Sequence, residues 1–208
     1  KLQETMQGAY QTCMKQLEHE ERYENWEKFL KKDATSFLQM VVQKYVQNRI
    51  PEEKVKEVFD TIGNVLEETD RFITVCVDID LTYKITNSLE YEASRFAVLK
   101  NLEEIIEKRY SYWRFEGEDG NGVFLVKTKE NATVKELKSI LENAKKEEQS
   151  PIIAAISKPY KGIIGIKRSW EEAQKLFGLA SASGASAFTI PEEIEERMGE
   201  GYSSDVEL

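Results

Sequence analysis

The run FITVCVDID, from Phe72 to Asp80, limits most severely what this chain can fold into. It is β-branched and aromatic almost throughout, far too short to span a membrane and too apolar for an edge strand with one wet face. A strand of this kind belongs in the middle of a sheet, and the sequence predicts a cover of helices on one side of it. The flanking segments must supply partner strands and that layer.

Both are legible downstream. Asn87 or Ser88 opens a long helix to about Lys108, with Phe96, Leu99, Leu102, Ile105 and Ile106 expected to face inward. YSYWRF and VFLVKT flank the loop EGEDGNG, a hairpin turn whose glycines permit positive φ. Thr133 is placed to cap a helix through Val134, Leu137, Ile140, Leu141 and Ala144, and IIAAIS after Pro151 reads as a short buried strand. YKGIIGIKRS leads into a helix over Trp170, Ala173, Leu176 and Phe177. The small-residue stretch GLASASGASAFTI then precedes a helical turn, PEEIEERM, and a polar tail.

Residues from about 71 to 180 therefore run β-α-β-β-α-β-α. The first six elements have the ferredoxin-like split βαβ order, an α+β class with an antiparallel sheet and helices on one face. The first strand is expected to be central, with the two crossover helices side by side.

Upstream the period is helical. Leu2, Met6, Ala9 or Tyr10, Cys13 and Leu17, continuing towards Trp26, Phe29 and Leu30, recur every three or four positions. Two readings stay open: an amphipathic helix lying on its own domain, or a signalling helix pairing with a second copy. A helix over 2–30 is about 40 Å long at 1.5 Å per residue, as long as a small domain is wide, so part of it is expected to need another apolar surface. Asp33 is placed to cap a second helix from about Ala34 to Gln47 with a stripe of Phe37, Leu38, Val41, Val42, Tyr45 and Val46. Pro51, Glu52 and Glu53 suit the first turn of a third. Its apolar residues are Val55, Val58, Phe59, Ile62, Val65 and Leu66, interrupted by Gly63. The organisation expected is a helical linker or dimerisation segment over 1–68, an α+β domain over 69–198 and a polar tail over 199–208.

Composition narrows the function. Twenty-nine Lys and Arg against 38 Asp and Glu give a net charge of -9, a poor balance for a principal DNA-contacting surface. Of the 208 residues 40% are hydrophobic, enough for a core, yet no apolar stretch approaches a membrane span. The start KLQETMQGAYQ lacks the basic-then-apolar build of a secretory signal, and a reducing cytoplasm is the default expectation. Cys13 and Cys76 are too few and too far apart for a disulfide scaffold or a thiolate zinc site, and His19 is the one histidine, so no metal or cofactor is expected.

Individual residues mostly have plain structural readings. Cys76 alternates with Thr74 and Asp78 on a buried strand and reads as a core cysteine. The loop GEDGNG lacks the twelve-residue ligand spacing of a calcium loop. Lys158, Lys161, Lys167 and Arg168 make one local positive cluster, open to a phosphate, an acidic partner or simply water. Trp113 and Trp170 read as anchors in the core or on the domain surface. Asp78, at the end of the strand, is placed to cap the next helix or to pair with Lys84.

Two motifs give the element order a more specific likeness. Asp78, Ile79 and Asp80, then Lys84 and Ile85, resemble the segment that closes the first strand of diguanylate cyclases, with Thr82 at a Phe and Asn87 at the last Asp. Where that family places Gly-His and Gly-Asp pairs, this chain has Glu90 with Tyr91 and Ser94 with Arg95. The loop from Glu116 to Gly122 echoes the family's signature turn through Gly117, Glu118 and Asp119 but lacks its paired glycines. In the last third, Ser157, Tyr160, Gly162, Ser169, Trp170, Glu172 and Ala173 resemble a segment that closes one particular kind of domain. It is the degenerate GGDEF-like middle domain of AraC-type two-component response regulators and of PucR-type or sugar-diacid regulators.

The resemblance implies a middle piece of a longer transcription factor, with a receiver upstream and helix-turn-helix units downstream. It implies a homodimer, with Leu2, Met6, Ala9, Cys13 and Leu17 on the pairing helix, and no direct contact of this piece with nucleic acid or membrane. It implies that Asp78, Asp80, Lys84, Arg95, Glu118 and Asp119 surround a vestigial ligand cleft rather than a catalytic one. A working cyclase holds two metal ions against a triphosphate with two carboxylates, and Arg95 reverses the charge where an acidic side chain is expected. The expectation is a protein that is not an enzyme, with a small-molecule sensor or, at the far end, an active cyclase as the alternatives.

Overall fold

The computed structural model describes residues 34–79, 88–117, 120–129, 133–148, 152–182 and 188–189. The elements are α1 (Ala34–Val46), α2 (Glu52–Ile62), β1 (Arg71–Ile79), α3 (Ser88–Glu107), β2 (Ser111–Glu116), β3 (Gly122–Thr128), α4 (Thr133–Glu148), β4 (Ile152–Ile156), β5 (Tyr160–Lys161), α5 (Gly162–Ala182) and β6 (Phe188–Thr189). The proposed cap Asp33, the helix over 2–30 and the turn PEEIEERM lie outside the described residues.

The protein is a mixed α+β domain built on an open sheet. Its strand order is β2-β3-β1-β4-β6, and β5 pairs with the start of β1. β1 is antiparallel to β3, β4 and β5, and β2 to β3, whereas the short β6 runs parallel to β4. β1 is central, as its composition requires, and six consecutive residues from Phe72 to Val77 are buried.

Helices cover both faces of the sheet, which corrects the expected cover on one. The reason lies in the two-residue period of β1. Ile73, Val75, Val77 and Ile79 point to one side and pack with Val98, Leu99, Leu102 and Ile106 of α3 and Leu137 and Leu141 of α4. Phe72 and Cys76 point to the other, where they join Trp113, Leu125, α1, α2 and α5. A sheet apolar on both faces needs two layers. Each fully buried Leu, Val or Phe contributes about 1.5–3 kcal/mol, so leaving either face wet would cost more than a domain's whole net stability.

The helices of 34–62, read from sequence as part of a linker, thus share their core with the sheet. Leu38, Val41, Val42, Tyr45 and Val46 of α1 and Val55 and Phe59 of α2 belong to it. Phe59 meets the ring of Trp113 edge-on at 5.4 Å, making Trp113 the core anchor expected. α2 stops at Ile62 because Gly63 adopts φ 79, and its N–H and that of Asn64 bond back to Asp60 and Phe59. Val65, assigned to this helix from sequence, lies beyond it and is 58% exposed.

α3 and α4 lie side by side in contact. Within α3 the expected inward Phe96 is 65% exposed, and Val98 is buried in its stead. At 3.6 residues per turn Phe96 stands about 105° from the middle of the face formed by Val98, Leu99, Leu102 and Ile106. Helix phase overrides hydrophobicity here.

Candidate functional site

One end of the sheet collects the sequence-predicted cleft residues that the structure describes. β1 ends at Ile79 and β2 at Glu116, side by side with the β2–β3 turn, and the first turns of α3 cross above them. The turn is tight: Gly117 N–H donates to Asn121 O at 2.8 Å, and Gly120 adopts φ 80. Among the described residues this end holds Asp78, Tyr91, Glu92, Arg95, Glu116 and Gly120. Asp80, Lys84, Glu118 and Asp119 lie outside them, and so does the Asp78–Lys84 pair.

Arg95 is the hub. Its Nε lies 3.4 Å from Asp78 Oδ1, one terminal nitrogen 3.4 Å from Glu116 Oε1 and the other 3.7 Å from Glu92 Oε2. The guanidinium also donates to the carbonyl of Gly120. Its side chain is 16% exposed and that of Asp78 18%, so this pair is largely shielded from water. Glu92 and Glu116 stand in solvent and contribute little.

Asp78 Oδ1 further accepts from the N–H of Ile79 at 2.8 Å and from the hydroxyl of Tyr91 at 3.0 Å. Burial raises its pKa above the ordinary carboxylate value, a push that these two donors and Arg95 only partly offset. Burial and the neighbouring Asp78 push the Tyr91 hydroxyl up to about 12. Tyr91 and Glu92 are members that the sequence does not assign to this cleft. The signal for Tyr91 was available: Tyr91 and Arg95 are four apart on one helix, hence on one face towards the strand end.

Beside this network an open groove of about 360 Å³ runs between α3 and the edge strand β2, lined by Arg95, Leu99, Glu103, Arg114, Glu116 and Gly122. Arg114 is tied to Glu103 at 2.8 Å. Among the described residues, no group of three or more His, Cys, Asp or Glu side chains could hold a metal ion. None of their helices is long and apolar enough to cross a membrane.

The second predicted set clusters around β1 instead. Ser157 Oγ accepts from the N–H of Thr74 at 2.9 Å, and Ser169 Oγ meets Thr74 Oγ1 at the same distance. Glu172 accepts from Lys158 N–H at 2.6 Å. Burial and the nearby Glu172 raise the Tyr160 pKa. Gly162 adopts φ 68 and donates its N–H to Asp70 O, which starts α5 beside the strand. Ala173 is buried, and Trp170 is partly so. These residues lock the last helix onto the sheet, which is structural work.

Asp70 was not foreseen from sequence. It is 0% exposed, pairs with Lys127 at 2.7 Å and accepts the N–H of Glu67, fixing the entry of β1. Cys76 is the core cysteine expected, its thiol pushed by burial to about 12. Lys167, from the basic cluster, is held near Asn48 and Glu171. Comparison with known proteins matches this chain to no family model, to no curated protein and to no solved structure.

Proposed function

We propose that this chain is a non-catalytic regulatory domain with a ferredoxin-like split βαβ core, a degenerate relative of GGDEF-like domains. In a response regulator it would couple an upstream receiver to a downstream AraC-type DNA-binding unit through dimerisation. The core assignment is supported by the run β1-α3-β2-β3-α4-β4 and by the strand order β2-β3-β1-β4, antiparallel throughout that part of the sheet. The regulatory reading rests on one observation: the Arg95 guanidinium bridges Asp78 and Glu116, at the strand end where a cyclase holds metal and triphosphate with carboxylates. A fixed positive charge there opposes a divalent cation and consumes the lone pairs that would bind it.

Chromatographic assay of the 208-residue chain with guanosine triphosphate and magnesium tests this. The expected result is no cyclic dinucleotide and no thermal shift from the pair. Product that disappears in Asp78→Ala would overturn it. Dimerisation is assigned to Leu2, Met6, Ala9, Cys13 and Leu17, with a homodimer at tens of micromolar that falls to monomer when Met6, Cys13 and Leu17 are made polar. Sedimentation equilibrium showing a 24.0 kDa monomer across that range would count against it. A cytoplasmic setting accompanies this reading.

A second reading, a small-molecule sensor, is favoured by the groove of about 360 Å³ beside Arg95. A thermal-shift screen against nucleotides, cyclic dinucleotides, sugars and acids separates the two, because a ligand raises apparent stability by mass action.

A further inference from the structure

The outward face of α3 carries the two most exposed large apolar side chains among the described residues. Leu89 is 79% and Phe96 65% exposed, and Ala93 and Ala97 between and beside them are exposed as well. Seven residues apart, Leu89 and Phe96 stand two turns apart on one line, the spacing of anchors in helix-to-helix docking. The small alanines allow a partner's backbone to approach.

The surroundings of this stripe are acidic. Glu90 and Glu92 flank it on opposite sides near Leu89, and Glu104 and Glu107 continue it towards the end of α3; all four are exposed. Lys100 is the one basic side chain on the same face, and it is matched by Glu104 at 3.9 Å. An apolar line between glutamates discriminates among occupants. A second copy, set antiparallel so that Leu89 meets Phe96, would bring the Glu90 and Glu92 pairs of both copies together, and the chain as a whole carries a charge of -9. An anionic membrane surface is opposed by the same charges.

We infer that the Leu89–Phe96 face of α3 is a docking surface for a basic amphipathic helix. Apolar residues of that helix, spaced three or four apart, would cover Leu89 and Phe96, and its flanking Lys or Arg would meet the acidic border to which Glu90, Glu92, Glu104 and Glu107 all contribute. The burial supplies affinity; the charges select the partner and its direction. Leu89 and Phe96 lie on the outer side of α3, while Glu92 at the edge of the site also stands 3.7 Å from Arg95; the site does not depend on whether the chain is a response-regulator domain.

Fluorescence anisotropy of two labelled peptides against the full chain tests the inference: a Leu/Lys amphipathic helix and its Leu/Glu counterpart. The Leu/Lys peptide is expected to bind, and the Leu/Glu peptide to bind about tenfold more weakly or not at all. Leu89→Ser with Phe96→Ser should weaken Leu/Lys binding by about tenfold or more. Val65→Ser, which removes an exposed apolar side chain elsewhere, should leave it unchanged. Glu90→Gln with Glu92→Gln should weaken it and flatten its salt dependence. All these positions are exposed, so circular dichroism should report intact folds. Equal binding by the Leu89→Ser, Phe96→Ser protein, or no binding of the Leu/Lys peptide at millimolar chain, overturns the inference. Self-association that Phe96→Ser abolishes would overturn it in favour of a second copy, and binding to anionic vesicles through this face in favour of a lipid surface.

Discussion

Thr74 and Ser169, separated by 95 positions in the chain, meet hydroxyl to hydroxyl at 2.9 Å in the buried layer between β1 and α5. Ser169 Oγ also lies 3.0 Å from the carbonyl of Ile166, so the two hydroxyls and that carbonyl form one buried chain of hydrogen bonds. The backbone N–H of Thr74 is at the same time held by Ser157. Two serines singled out by the sequence motif therefore converge on one strand residue.

Removing one hydroxyl strands its partner away from water. Ser169→Ala or Thr74→Val alone should cost about 1–3 kcal/mol in urea unfolding. The double variant should cost less than the two losses added, since neither polar group is then left unmatched. Strict additivity would show that the pair is not coupled.

Asp78 carries a pH signature. Its folded pKa lies above the ordinary carboxylate value, so the stability it contributes is complete below that ordinary value and is lost as pH rises through the folded one. Asp78→Asn should flatten the acid side of the stability profile and leave the protein at least as stable at pH 7. Arg95→Ala removes the opposing charge from a shielded carboxylate and should cost about 1–3 kcal/mol at neutral pH, less once Asp78 is protonated. Thermal unfolding of the three proteins between acid and neutral pH checks both statements. A steeper acid limb in Asp78→Asn contradicts the first.

Two glycines of α5 should respond in opposite senses. A Cβ on Gly165 would stand 2.5 Å from the backbone carbonyl oxygen of Tyr160, which has no flexible end to swing away. Gly165→Ala should therefore destabilise by about 1–3 kcal/mol or more through overpacking. A Cβ on Gly178 meets nothing within 4 Å, and Gly178→Ala should stabilise by about 0.5–1 kcal/mol through helix propensity. Chemical denaturation of both variants decides.

Cys76 should resist alkylation in the folded chain. It is fully buried, and with a thiol pKa of about 12 it presents almost no thiolate at neutral pH. Its modification, followed by peptide mass mapping, should track unfolding and accelerate with urea. Rapid labelling under native conditions would contradict the burial.

The sequence carried the elements well wherever one property was decisive. Continuous β-branched residues from Phe72 to Val77 made β1 central, and glycines around a short polar loop made the hairpin. The Ser157-to-Ala173 stretch was legible as a motif, although its role as a lock between α5 and β1 was not. That lock depends on Thr74, which no local pattern marks. The ion pair of Asp78 with Arg95 was legible only as two unusual residues at separate places.

By itself the sequence determined the β-α-β-β-α-β-α order (though not the two-residue strands β5 and β6), the centrality of β1 and the absence of zinc-type ligand spacing, because each follows from neighbours within a few residues. Tertiary structure decided the rest. Only packing could place α1 and α2 on the second face of the sheet, since an apolar stripe does not say what it covers. Only helix phase relative to the sheet could turn Phe96 outward and Tyr91 and Arg95 towards the strand end. Periodicity along a chain is local, whereas the direction a helix face points is fixed by the layer it lands on, and that is where this protein's candidate surfaces were made.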